Sequence, residues 1–184
     1  MPFIETGFKG LWLIEPQVFQ DSRGYFFEAY NRRTFSEQGI DVEFVQDNQS
    51  RSGYGVVRGL HFQLEPHAQA KLVRVLEGRI LDVVVDIRRG SPTYGKTYAA
   101  ELSSDNFRQL YIPKGFAHGF SVLSEVAVVM YKCDKLYHRE SEGGIAYNDP
   151  ALAIDWKIPE GLALVSEKDL RQPLLKDCRA DFKF

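Results

Sequence analysis

The side chains best suited to chemistry are concentrated in residues 58–63, with Arg58, His61 and Gln63, followed after a loop by Lys71. An imidazole can exchange protons near neutral pH, and guanidinium and ammonium groups stabilise negative charge. If the segment is an extended strand, alternation places His61 and Gln63 on one face and Arg58 on the other. That polar face could line a cavity or face solvent, and the segment alone leaves both possibilities open.

A second segment, residues 112–120, contains Pro113, Gly115 and His118 in a spacing that resembles half of the cupin pattern. Cupins are jelly rolls whose inward histidines often hold a metal between a His-x-His pair and a glutamate. Here Gln63 stands in place of the second histidine, and Lys71 is near the position of the acidic ligand. An ammonium group opposes a divalent cation, so we predict a cupin-like barrel without a metal. Cationic groups in an apolar cavity favour an anionic small molecule, such as a phosphate ester.

The elements that must position these residues are predicted to be short strands. Runs rich in valine, isoleucine and aromatic residues alternate with glycine and proline, which is typical of an all-β sandwich or jelly roll. Short helices are expected at residues 33–38, from the capping-box spacing of Thr34 and Glu37, and after Ser166. Residues from about 150 to 184 are expected to pack on the barrel, within a single domain of residues 1–184. The predicted strands are 56–62, 71–76, 79–87, 97–102, 108–112, 117–123 and 126–133.

Composition narrows the functional classes. The chain has 184 residues, of which 44% are hydrophobic, and 25 acidic residues stand against 23 basic ones. The near-neutral balance argues against nucleic acid as a partner. Two cysteines without metal spacing, no signal-peptide pattern and no apolar run of ~20 residues predict a cytoplasmic protein without a membrane partner.

Taken in order along the chain, nine motifs resemble the dTDP-4-dehydrorhamnose 3,5-epimerase family. That resemblance implies a cupin-type double-stranded β-helix (jelly roll) with no metal and no cofactor. It also implies a homodimer that exchanges N-terminal strands, and a role in making dTDP-L-rhamnose. The motifs are DSRGYFFE at 21–28, QDN at 46–48, RGLHFQ at 58–63, KLVR at 71–74, DVVVDIR at 82–88, GSPTYG at 90–95, IPKGFAHGF at 112–120, YK at 131–132 and SEKD at 166–169.

The family chemistry explains why these residue types occur together. Its substrate, dTDP-4-dehydro-6-deoxy-D-glucose, has a ketone at carbon 4 that makes the hydrogens on carbons 3 and 5 acidic. Epimerisation needs a base on one face, a proton donor on the other, and positive charge near the enolate oxygen. The resemblance makes His61 the base, with its imidazole oriented by Asp169. Tyr131 would be the proton donor, and Lys71 would lie near the enolate oxygen.

The same resemblance implies a set of substrate-binding residues. Arg23, Arg58 and Lys168 are expected near the diphosphate, and Tyr137 is expected to stack on thymine. Glu28 is expected to contact the nucleoside. Arg23 and Glu28 are both expected to come from the neighbouring subunit. The remaining expected contacts are Gln46, Asp47, Asn48, Gln63, His118 and Glu142.

Three alternatives stay open at this stage. A mono-epimerase acting at carbon 3 or carbon 5 alone would use nearly the same catalytic residues, because the shape of the pocket decides which carbon reacts. A nucleotide-sugar-binding cupin without turnover would use the same basic pocket. A metal-dependent cupin oxygenase or isomerase would need His61 and His118 as metal ligands.

Overall fold

The computed structural model describes residues 1–184 and is built almost entirely from strands. One short α-helix, Arg32–Ser36, and three 3-10 helices, Arg139–Ser141, Asp169–Arg171 and Leu175–Asp177, complete it. None of the helices has the length and hydrophobicity that a membrane-spanning helix needs. The strands are β1 Phe3–Glu5, β2 Trp12–Ile14, β3 Phe19–Asp21, β4 Gly24–Phe26, β5 Gln46–Gly53, β6 Val56–Gln63, β7 Lys71–Glu77, β8 Arg79–Asp86, β9 Arg88–Arg89, β10 Thr97–Ser103, β11 Gln109–Ile112, β12 Phe116–Val122, β13 Val126–Cys133, β14 Glu142–Gly144, β15 Leu164–Val165 and β16 Phe182–Lys183.

Two six-stranded sheets form the body of the fold. The first has the order β1-β2-β11-β7-β13-β5, and the second has β10-β8-β12-β6-β14, with β15 pairing in parallel along β6. All other pairings in these two sheets are antiparallel. Strands that follow one another in sequence repeatedly lie in opposite sheets, as in a jelly roll. Strand β8 lies between β10 and β12 and is therefore a central strand, as its apolar residues 83–85 predict.

The hydrophobic core lies between the two sheets. Val73 and Val129 of the first sheet pack with Val84 and Phe120 of the second, and all four are buried. Alternation along each strand continues these inward rows toward one end of the barrel, where the inward side chains become polar. Lys71 lies two residues before Val73 and belongs to such a row. The end of the core therefore becomes a polar cavity.

The second sheet is covered on its outer face by the C-terminal segment. Val83 and Val85 point away from Val84 and pack with Trp156 and Phe182 in a second buried cluster. Because this part of β8 is buried on both faces, Val83, Val84 and Val85 form a continuous apolar run that does not alternate. This packing also fixes the C-terminal segment, which carries Asp169, against the barrel.

The predicted strands agree with the structure to within one residue at each end, but the predicted helix boundaries were wrong. The helix spans Arg32–Ser36, and its N-cap is Asn31, not Thr34. Asn31 Oδ1 accepts hydrogen bonds from the backbone N–H groups of Arg33 and Thr34, at 3.0 and 3.4 Å. Strand β5 was not predicted because its alternating residues are polar on both faces.

Candidate active site

His61 and Asp169 form a hydrogen-bonded pair at the end of the barrel. His61 Nε2 lies 2.6 Å from Asp169 Oδ1, and the Asp169 residue is only 4% exposed. Ser166 Oγ accepts a hydrogen bond of 3.1 Å from the Asp169 backbone N–H, which fixes the start of the short 3-10 helix. With an ionised carboxylate accepting from Nε2–H, the lone pair of the neutral imidazole is on Nδ1. That nitrogen is then available to act as a base.

The charge on Asp169 is maintained despite its burial. Burial opposes ionisation, but the hydrogen bond from His61 and the electrostatic interaction with it together hold the pKa of Asp169 below its ordinary value. The Gly59 backbone N–H lies 3.5 Å from the second carboxylate oxygen and favours the same state. Asp169 is therefore a carboxylate throughout the neutral pH range.

An irregularity in β6 changes which side chains face the cavity. His61 is paired with His118 and Arg58 with Phe120, so between these two pairs β6 contains one residue more than β12. Such a bulge moves side chains three residues apart onto the same face. Arg58 and His61 both line the cavity, and the prediction that they lie on opposite faces was wrong. Leu60 instead packs in the outer hydrophobic cluster.

Two glycines allow this close approach of β6 and β12. Gly59 has a φ of +123°, and a Cβ atom added to it would lie 2.5 Å from the Cα of Gly119. A Cβ on Gly119 would lie 2.5 Å from the carbonyl oxygen of Arg58. Because both contacts are to backbone, a side chain at either position forces the strands apart.

A second histidine–carboxylate pair lies beside the first. His118 Nε2 lies 2.7 Å from Asp82 Oδ1, and both residues are buried. Burial lowers the pKa of His118 even though Asp82 favours its charged form. The other Asp82 oxygen, Oδ2, has no hydrogen-bond partner. A neutral His118 that donates from Nε2 can only accept at Nδ1.

Lys71 and Tyr131 complete the inward polar row from the first sheet. Lys71 forms no ion pair. The nearby Cys133, Asp82 and Glu142 favour its charged form, but burial outweighs them and lowers the pKa of Lys71. Its Nζ atom lies 5.8 Å from the centre of the Tyr131 ring. Burial raises the pKa of Tyr131 and so keeps its phenol protonated. The site thus combines a base, an unpaired cation and a proton donor.

These groups line one continuous cavity that opens at the end of the barrel. Its inner part has a volume of about 450 Å³, and an adjoining part of about 380 Å³ shares the walls formed by His61, Lys71 and Tyr131. The inner part also exposes Arg58, His118, Phe120, Leu164, Lys168 and Asp169, and the outer part exposes Gln46, Asn48, Gln63, Gln69, Tyr137 and Glu142.

Glu142 organises the mouth of the cavity. Its carboxylate accepts from Lys168 Nζ at 2.5 Å and from the Tyr137 hydroxyl at 3.1 Å. Burial would raise the pKa of Glu142, but these partners, Lys168 foremost, hold it below its ordinary value. Arg58 Nε donates to Ser52 Oγ at 3.1 Å, which leaves the rest of its guanidinium exposed. The positive groups Arg58 and Lys168 therefore line the inner part of the cavity beside this mouth.

A family model described as dTDP-4-dehydrorhamnose 3,5-epimerase matches residues 5–177. The chain belongs to this family. A curated dTDP-4-dehydrorhamnose 3,5-epimerase of Methanothermobacter thermautotrophicus is 51% identical over 169 residues, covering 91% of this chain and 90% of that protein. The predicted family, and with it the prediction of an epimerase, are confirmed.

Solved structures agree with the family assignment. The crystal structure of the epimerase from Elizabethkingia anophelis is 56% identical, with a TM-score of 0.93 over 96% of this chain and 97% of that one. A Legionella pneumophila 3,5-epimerase in complex with dTDP-4-keto-L-rhamnose is 50% identical, with a TM-score of 0.91 over 95% and 93% of the two chains. The predicted jelly-roll fold is confirmed.

Three residues predicted by resemblance to this epimerase family lie outside the cavity of their own chain. Arg23 is in the exposed turn between β3 and β4, where it pairs with Asp21 at 2.6 Å. Glu28 accepts a hydrogen bond from Asn31. Asp47 pairs with Lys132 at 3.0 Å on the face of β5 opposite Gln46 and Asn48, because neighbouring residues of a strand point in opposite directions.

Asp82 is the main residue of the site that sequence reasoning missed. It begins the run Asp82–Ile87, which was assigned to a central strand without a role for its carboxylate. A carboxylate within a largely buried strand needs a polar partner, and that requirement was the available signal. The partner, His118, could not be identified without knowing that β8 and β12 are neighbours.

Proposed function

We propose that this protein epimerises carbons 3 and 5 of dTDP-4-dehydro-6-deoxy-D-glucose, giving dTDP-4-dehydro-L-rhamnose for dTDP-L-rhamnose synthesis. The observation that carries the proposal is the His61–Asp169 pair facing Lys71 and Tyr131 across one cavity. A site with a base, a cation and a phenol is suited to removing and returning a proton next to a ketone.

His61 Nδ1 takes the hydrogen from the reacting carbon as a proton, and the electron pair of that bond moves into the carbon–carbon double bond of the enolate. Lys71 stabilises the charge that develops on the oxygen of carbon 4, as a preorganised cation does in an oxyanion site. Tyr131 then delivers a proton from the opposite face and inverts the carbon. Solvent takes the proton from His61 and returns one to Tyr131 before the second carbon reacts.

The two parts of the cavity would together bind the dTDP group. Arg58 and Lys168 supply positive charge for the diphosphate, and Tyr137 supplies an aromatic face for thymine. Gln46 and Asn48 would provide polar contacts in the outer part, and Glu142 and His118 would line the sugar pocket. Asp47 can contribute only through its backbone, because its carboxylate is paired on the other face of β5.

Arg23 and Glu28 would complete the site of the second subunit in a homodimer that exchanges N-terminal strands. The β3–β4 hairpin carries exposed aromatic side chains, Phe19, Tyr25 and Phe26, which a second copy would bury. A test is to mix the Arg23→Ala and His61→Ala proteins once each has been shown to be inactive by itself. If each site combines His61 of one chain with Arg23 of the other, each mixed dimer has one intact site. At equal amounts about half of the dimers are mixed, so the mixture regains about a quarter of the wild-type sites. No recovery under conditions that exchange subunits would exclude the shared site.

The single-domain organisation over residues 1–184 and a cytoplasmic location are part of the same proposal. Trp156 and Phe182 of the C-terminal segment share a cluster with β6 and β8, which supports one folding unit. Cys133 and Cys178 are both free, which supports a reducing compartment.

Solvent exchange tests the activity directly. Incubation with the 4-keto nucleotide sugar in deuterated water is expected to place deuterium on both carbons. Deuterium on one carbon would identify a mono-epimerase, and tight dTDP binding without exchange would identify a binding protein. Stoichiometric iron, manganese or zinc at His61 and His118 would instead favour a metal-dependent cupin.

Two variants separate the proposed roles. His61→Ala is expected to abolish exchange at both carbons, because the base is removed. Tyr131→Phe is expected to slow product formation more than hydrogen removal, because the phenol acts only after the enolate has formed. Equal losses in the two assays for Tyr131→Phe would exclude its role as the donor.

A further inference from the structure

The segment of residues 135–138, between β13 and the 3-10 helix Arg139–Ser141, is held in an unusual way. No backbone group of residues 135–137 is hydrogen-bonded to another backbone group. A segment in this state ordinarily depends on water or on side chains for its hydrogen bonds. Tyr137 of this segment lines the outer part of the cavity, so the conformation of the segment decides where the Tyr137 ring lies.

Three glutamine side chains supply the missing partners. Gln69 Nε2 donates to the Lys135 carbonyl at 2.8 Å, and Gln46 Oε1 accepts from the Tyr137 N–H at 2.9 Å. Gln63 does more, since its Oε1 accepts from the His138 N–H at 2.7 Å and its Nε2 donates to the Leu136 carbonyl at 3.3 Å. The segment is thus fixed from three strands or loops.

Gln63 has no hydrogen-bonding donor left for a ligand. Its second Nε2 donor is used by the carbonyl of His67, at 2.7 Å, and the residue is only 5% exposed. An amide has two donors, and both are used here by backbone. The rings of His67 and His138, whose backbones Gln63 joins, also stack with centres 3.9 Å apart. Gln63 therefore ties two loops together across the floor of the outer cavity.

We propose that Gln63 and Gln69 are positioning residues that hold residues 135–138 so that the Tyr137 ring presents a fixed face to the nucleobase. This inference rests on the proposed binding of thymine by Tyr137 and reassigns Gln63 from a substrate contact to a support. Tyr137 is 55% exposed, and the only hydrogen bond of its side chain is the one that its hydroxyl donates to Glu142. Without the glutamines the ring samples many orientations, and binding must restrict them.

The test compares Gln63→Met and Gln69→Met with a control, Gln38→Met. Methionine keeps the length of glutamine but makes no strong hydrogen bond. Gln38 is an exposed glutamine that lines neither part of the cavity. Calorimetry with dTDP and with inorganic pyrophosphate, which has no base, measures binding. The rate of deuterium exchange at saturating substrate measures chemistry.

Each positioning variant is expected to weaken dTDP binding about three- to tenfold, the size of one or two lost hydrogen bonds. Pyrophosphate binding and the saturated exchange rate should stay within about twofold of wild type, since Arg58 and His61 are not moved. The Gln38 variant should change neither. Gln69→Met keeps the test open if Gln63→Met does not fold, because Gln69 is not fully buried.

A double-mutant comparison decides the mechanism. In the Tyr137→Ala background, Gln63→Met and Gln69→Met should weaken dTDP binding little further, because the ring they position is absent. Full additivity, or equal weakening of dTDP and pyrophosphate, would overturn the inference. If Tyr137→Ala itself leaves dTDP binding unchanged, the proposed thymine contact fails and the inference fails with it. If Tyr137→Ala weakens binding and the glutamine variants do not, only the inference fails.

Discussion

Replacing Asp169 with asparagine perturbs the base without changing the shape of the site. The carboxylate accepts from His61 Nε2 at 2.6 Å and faces the Gly59 N–H with its other oxygen. In the variant, the amide oxygen is favoured opposite the Gly59 donor, which turns the amide N–H₂ toward His61. The imidazole must then accept at Nε2 and carry its proton on Nδ1, the nitrogen that should remove hydrogen from the sugar.

The size of the effect follows from the lost interaction. A hydrogen bond to a charged group contributes about 1.5–3 kcal/mol. If that stabilisation acts in full on the imidazolium of the transition state, its loss lowers the rate about 10- to 150-fold. The unfavourable tautomer lowers the rate further, as it does when the aspartate of a serine-protease triad is replaced. The Michaelis constant should change less than about threefold, because Asp169 lies beneath His61 and does not face the diphosphate groups.

The assay is the rate of deuterium incorporation at saturating substrate, measured across pH. Because its pKa is held below the ordinary value, Asp169 stays ionised above about pH 5, so its own titration should not change the ratio of wild-type to variant rates above that pH. Asp155→Asn, which breaks an exposed pair with Lys157, is the matched control and should behave as wild type. A saturated rate within threefold of wild type for Asp169→Asn would refute the reasoning.

Three further outcomes are expected. Lys71→Met should lower the saturated exchange rate at least about 100-fold through loss of enolate stabilisation, yet raise the melting temperature in thermal unfolding, because a partly buried ammonium without an ion-pair partner is removed. Asp86→Asn should cost about 3–5 kcal/mol in urea unfolding at neutral pH, because Asp86 is fully buried and accepts two hydrogen bonds from the Arg88 guanidinium, at 2.9 and 2.7 Å. Although burial opposes ionisation, Arg88 leads the contacts that hold the pKa of Asp86 below its unfolded value. The stability that ionised Asp86 contributes is therefore complete above about pH 5 and is lost as pH falls through the lower folded-state pKa. A stability difference between wild type and Asp86→Asn that grows in acid would contradict this. Gly119→Ala should destabilise the fold by about 1–3 kcal/mol in the same unfolding assay and reduce exchange, whereas unchanged values would show that β6 and β12 can separate without consequence.

Local features of the sequence predicted seven of the sixteen strands, which include most of the long strands of the two sheets, and several members of the site. The boundaries of β8 and β13 were predictable because β-branched runs end at glycine or at charged residues. His61, Lys71, Tyr131 and Asp169 could be selected together only through the family resemblance, since each alone has a common structural explanation. The structure brings all four to one cavity. Their catalytic roles are the subject of the proposed experiments.

Other features depend on contacts between distant parts of the chain. The common orientation of Arg58 and His61 comes from a bulge opposite Gly119, which strict alternation does not predict. The pairing of His118 with Asp82 depends on the neighbouring positions of β12 and β8.

The amino-acid sequence by itself determined an all-β fold and two segments rich in polar and cationic side chains, because strand periodicity and residue type are local properties. Only the tertiary structure decided which polar groups meet. Hydrogen bonds such as His61–Asp169 join residues 108 positions apart in the chain, and Gln63 reaches across to Leu136 in the same way. Such contacts depend on the packing of two sheets and a C-terminal segment, which no window of sequence contains.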